Sequence, residues 1–105
     1  MSTSILKPSK DFVFEKSLLC TTNVNANSTK QVILSITQMT KDGYIPIFAI
    51  LTGSGYTDYI TINQGGVNIS GDKVVLNSNQ IFVGNWSNSN LTGVQIEIRI
   101  LWMGV

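Results

Sequence analysis

The chain lacks histidine, has one cysteine and two prolines, and carries little charge: seven Lys and Arg and six Asp and Glu in 105 residues. Each shortage excludes something. Without histidine, a Ser-His-Asp or Cys-His nucleophilic site is impossible. With only one cysteine as well, zinc, copper and iron sites lose their usual ligands; calcium needs no fixed motif and has Thr57-Asp58 and Gly71-Asp72 as its only candidates, and the expectation is no metal and no cofactor. Cys20 has no intrachain disulfide partner. It stands in the apolar run Leu18-Leu19-Cys20, which reads as a small buried hydrophobe rather than a reactive thiol. Charged residues make up 12% of the chain and the net charge is +1. No field of that size steers a protein toward nucleic acid or an anionic membrane. The longest apolar run, Ile45 to Leu51, is seven residues and contains Pro46, too short for a membrane-spanning helix. The first ten residues hold Ser, Thr, Lys and Pro without an apolar signal core, and are expected to be a flexible or edge segment ahead of one domain.

What is present is strand grammar. From Val94 to Trp102 the even positions read Val94, Ile96, Ile98, Ile100 and Trp102, and the odd ones Gln95, Glu97, Arg99 and Leu101. Period two places alternate side chains on opposite faces of a β-strand and cannot serve a helix. The same alternation runs through Gln31–Gln38, with Val32, Leu34 and Ile36 on one face, and through Asp58–Asn63, with Ile60 and Ile62 inward. Asp11–Cys20 reads as a strand on its Phe and Val content, and Thr21–Lys30 as an Asn-rich loop or edge. Asp42-Gly43 is a hairpin signal before the apolar strand Tyr44–Leu51, where Pro46 marks an edge or a bulge. Ser70-Gly71-Asp72-Lys73 is a second tight turn. The expected fold is all-β, an antiparallel β-sandwich or jelly-roll-like domain of seven to eight short strands.

The acids Asp11, Glu15, Asp42, Asp58, Asp72 and Glu97 form no cluster in sequence. Asp42 and Asp72 are explained by turn chemistry, and no hydrolytic carboxylate pair is indicated. Aromatic residues near turns are the remaining candidates. Tyr44, Tyr56, Tyr59 and Trp86, with Asp58 beside them, form a candidate ligand-binding set whose rings could stack on sugar faces. The competing reading is that these rings cap the ends of the core, their polar tips in water. Trp102 falls on the apolar face and belongs to the core or a subunit interface.

Three segments, taken in order, resemble a known family. These are Ala26-Asn27-Ser28-Thr29-Lys30 before an alternating strand, then Asp42-Gly43-Tyr44-Ile45-Pro46-Ile47, then the closing Val94-x-Ile96-x-Ile98-Arg99-Ile100-Leu101-Trp102. Over residues 25 to 103 the chain resembles the small β-sandwich domains at the distal end of tailed-bacteriophage tail, fibre and baseplate proteins. The resemblance implies a non-enzymatic virion protein, released without a signal peptide, that self-associates, commonly as a trimer, and binds a host-surface glycan or protein. The alternative expectation is a carbohydrate-binding module or lectin of β-sandwich type. Leu101, Met103 and Ile33, on faces away from the alternating core, are available to a second sheet or a neighbouring subunit.

Overall fold

A computed structural model describes residues 11–55 and 58–105; the segment 1–10, together with Tyr56 and Thr57, lies outside the described residues. The described chain is all-β. Its strands are β1 (Phe12–Val24), β2 (Ser28–Gln31), β3 (Gln38–Thr40), β4 (Tyr44–Ser54), β5 (Ile60–Ile62), β6 (Val67–Ser70), β7 (Lys73–Leu76), β8 (Phe82–Asn85) and β9 (Leu91–Gly104). They pair in three antiparallel sheets of order β1-β9-β4, β2-β8-β5 and β3-β7-β6. The first sheet is built from the three long strands and forms one layer. The two short sheets cover it from the other side. Asn85 of β8 bonds to Val24 at one end of the long sheet. Thr40, the last residue of β3, and Asp72, just before β7, border a groove with Tyr44 and Val105 at the other end.

The core follows from the alternation of β9. Val94, Ile96, Ile98, Ile100 and Trp102 are all nearly inaccessible; with Leu51 of the neighbouring β4 they form one core with Val74, Leu76, Ile81 and Val83 of the opposite layer. β9 is bonded on both edges, with Ile98 opposite Ser17 of β1 and Leu51 of β4. Pro46 falls where expected, at a register shift between Pro46 and Phe48 on a strand with one free edge. Along that free edge the side chain of Gln64 imitates a missing strand. Its Oε1 accepts from Leu51 N and its Nε2 donates to Leu51 O, both at 2.7 Å.

The differences from the sequence reading are local. The described residues hold nine strands rather than seven or eight. The long first strand runs through Thr21–Val24, so the Asn-rich loop shrinks to the turn around Asn25–Asn27, where Asn27 takes a positive φ of 52°. The alternating run Gln31–Gln38 is not one strand: β2 ends at Gln31 and β3 begins at Gln38. Val32 is buried there, but Ile36 is exposed. The chain crosses between sheets in this stretch, and a single ladder cannot span two sheets. Asp42-Gly43 does turn the chain, with Gly43 at φ 80°. Its flanking strands β3 and β4 belong to different sheets, so it is a turn between layers rather than a hairpin. Ser70-Gly71-Asp72-Lys73 is a true hairpin, with Ser70 opposite Lys73. The layers are those of a β-sandwich; this pairing does not establish the jelly-roll variant.

Ile98 is fully buried at the middle of β9. Its truncation removes apolar contact and leaves a cavity, so Ile98→Ala is expected to lower unfolding stability by about 2–5 kcal/mol. Denaturant titration followed by far-ultraviolet circular dichroism measures this; a loss below 1 kcal/mol would contradict the packing described.

Candidate functional site

Of the five residues singled out by sequence, the four that are described do not form one site: Tyr44 lies apart from Asp58, Tyr59 and Trp86. Tyr44 opens β4 opposite Gly104. It is half-buried, and Lys41 Nζ sits 5.2 Å from its ring centroid. Lys41 also pairs with Glu15 at 2.9 Å. One face of the tyrosine ring is therefore capped by a cation, and the other side of the residue packs near Gly104. The open groove beside it, about 320 Å³, is bordered by Asp42 and Asp72 at its turns. Tyr44 closes the end of the sandwich. Asp58 is an exposed turn residue, and Tyr56 lies outside the described residues. Tyr59 and Trp86 stand together at the far end of the molecule.

Trp86 follows β8 directly, and its backbone N–H donates to Tyr59 O at 2.8 Å. Its indole Nε1–H donates to Thr61 Oγ1 on β5, also at 2.8 Å. The ring lies back across the strand because residue 84 is glycine. A Cβ there would stand 3.1 Å from Thr61 Oγ1, 3.3 Å from Trp86 Cζ2 and 3.4 Å from Thr29 Cγ2. The indole is thus pinned against a glycine on one side, yet 63% of the residue is exposed, with Tyr59 53% exposed beside it.

Asn85 holds this corner from below. It is the only fully buried polar residue among those described. Its Nδ2 donates to the carbonyls of Val24, Asn25 and Ser89, and its Oδ1 accepts from the Ser87 amide and hydroxyl. A buried amide so fully engaged fixes the loop that follows Trp86. The result is a rigid, polar-rimmed aromatic shelf, suited to the apolar face of a flat or ring-shaped ligand.

A second surface lies on the long sheet. The outer face of β1-β9-β4 turns away from the core, and its first rows are apolar. Phe12, Met103 and Ile45 share one level, and Phe14, Leu101 and Phe48 the next. Then come Lys16, Arg99 and Ile50, followed by Leu18, Glu97 and Thr52. The fifth level, Thr21, Gln95 and Ser54, is wholly polar. Phe12 is 61% exposed and Phe14 60%. Covering one such side chain fully is worth roughly 1.5–3 kcal/mol, against about 0–1 kcal/mol for an exposed ion pair. Glu97 and Arg99 approach each other only to 4.0 Å. Arg99 Nε and Thr52 Oγ1 are buried without a hydrogen-bond partner among the described residues. The sequence signal for this face was the run Phe12-Val13-Phe14, in which both faces of one strand are apolar.

Cys20 is half-buried on the inner side of β1, and burial raises its thiol above the ordinary range, with Lys30 opposing weakly. It is no activated nucleophile. Among the described residues, no three of His, Cys, Asp and Glu come together.

The two tryptophans give a direct check on this geometry. Trp102 is buried and Trp86 exposed, so emission is expected to contain a red-shifted component readily quenched by acrylamide. Trp86→Phe should remove it and leave blue-shifted, poorly quenched emission. Persistence of the quenchable component in that variant would place Trp102, not Trp86, in water. Compared with known proteins, the chain matches no family model, and it has no significant match among curated proteins or among solved structures.

Proposed function

We propose that this chain is a non-enzymatic structural domain that works as a homo-oligomer, of the attachment kind found at the distal tips of phage tails and fibres. The observation that carries the reading is the double-sided apolarity of β1-β9-β4. One face builds the core; the other offers Phe12, Phe14, Phe48 and their neighbours to water. Contiguous apolar patches on a soluble monomer mark a surface meant to be covered. A trimer is favoured because the resemblance of the strand-and-turn segments points to virion tips. Its place would then be the virion, outside the cell after release, and its partners further copies of itself and a host-surface molecule.

Light scattering on a size-exclusion column at micromolar concentration tests the core of this proposal. The expected mass is about three times the 11.5 kDa of the chain. Phe14→Glu combined with Leu101→Glu should return a folded monomer, since neither side chain belongs to the core. A monomeric wild-type protein would overturn the reading.

The second reading, a carbohydrate-binding module, is favoured by the pinned, exposed indole of Trp86 beside Tyr59. Here Trp86→Ala is expected to abolish glycan-array binding while the circular-dichroism spectrum is retained. Loss of fold in that variant would make Trp86 a structural residue.

A further inference from the structure

The outer face of the long sheet is graded along its length. Its levels run from wholly apolar, at Phe12-Met103-Ile45, through two mixed levels that carry charge, to wholly polar at Thr21-Gln95-Ser54. A uniformly apolar face accepts a partner in either direction, but a graded one does not. Successive levels stand about 7 Å apart along a strand, so the direction of a partner decides which chemistry meets which.

We infer that copies of this chain cover this face with one another with their strands running in the same direction, about an axis parallel to β9. This inference rests on the self-association proposed above and adds the arrangement. In that arrangement each level meets its own counterpart. The two phenylalanine levels close on each other and leave water together. The polar level meets a polar level and needs little desolvation. The level of Lys16 and Arg99 meets the same level of a neighbour, and its like charges are offset by the Glu97 level of every copy, about 7 Å along the strand. The Arg99 side chain is 42% exposed and approaches its own Glu97 only to 4.0 Å. Its guanidinium fork therefore retains donors for the Glu97 carboxylate of a neighbour. Lys16 is exposed on the outer strand β1, a position from which a lysine can keep its ammonium in water.

The opposed direction fails on the same rows. Full overlap would set Phe12 and Phe14 against Thr21, Gln95 and their neighbours. Overlap of the apolar ends alone would leave the charged rows uncovered and half the strand length outside the contact. Apolar burial outweighs what an opposed charge match offers at exposed positions.

Spin-label distances decide the direction. In a Cys20→Ala background, single cysteines are placed at exposed Thr92, where β9 begins, and at exposed Val105, just past its end, and each is labelled with a nitroxide. Electron double resonance on the oligomer should give a short distance at both positions, under about 30 Å, from the ~10 Å spacing of packed sheets plus the label arms; about 45 Å at both positions, the rise of β9 between them, would mark full overlap in the opposed direction and overturn the inference. An oligomer with a short distance at Val105 but roughly 65 Å at Thr92, set by strand rise, would overturn the inference while leaving self-association standing. A monomeric mass with no dipolar modulation would overturn both. Phe14→Glu with Leu101→Glu should abolish the modulation; modulation that survives it would place the contact elsewhere and overturn the inference.

Discussion

The fold hangs on the pairing of β9 with β1 on one edge and β4 on the other. Both ladders antiparallel, both long, they hold the strand so that five apolar side chains from Val94 to Trp102 point the same way. A slip of one residue would turn Ile96, Ile98 and Ile100 to water and drive Glu97 and Arg99 into the core. The register is therefore fixed by burial. Once it is fixed, the composition of the opposite face is fixed too, level by level. That face has no need to be apolar for the fold to stand, so its phenylalanines call for another explanation.

The two surfaces that stand out are on opposite layers. The graded face belongs to the long sheet, and the Trp86 shelf to the exposed side of the short sheet β2-β8-β5. Contact through the first leaves the second open. An assembly held by the long sheets would present one copy of the aromatic shelf per subunit, all on its outside. Several weak sites held rigidly at fixed spacing bind a many-branched surface far better than one. The structural and attachment readings are in this sense compatible.

Strand identity was largely legible in the sequence because period-two burial is a local signal. The closing strand is the clearest case, and the turn at Gly71-Asp72 follows equally from local chemistry. Partner choice was not legible. Gln31–Gln38 alternates well, yet it passes between two sheets, and alternation carries no record of which strand lies alongside. Asp42-Gly43 turns the chain for the reason given by its glycine, but the flanking strands part into separate sheets. The site was legible in pieces. Trp86 and Tyr59 are legible from their positions near turns; Tyr44 shares that signal, although the length of β4 carries it to the other end. What positions the indole, Gly84 beneath it and Asn85 behind it, depends on contacts between residues up to 61 apart, which no short window contains.

The carboxamide of Gln64 has a consequence for what this protein can build. The β4 margin beside it would otherwise offer Leu51 N–H and C=O to any extended peptide, and an unguarded margin invites stacking without end. Here that invitation is already answered from within the same chain. Growth by adding strand to strand is discouraged at that point, whereas the self-association proposed above uses the flat face and not this margin. The β4 margin is in this way closed at Leu51 by a side chain from the same molecule.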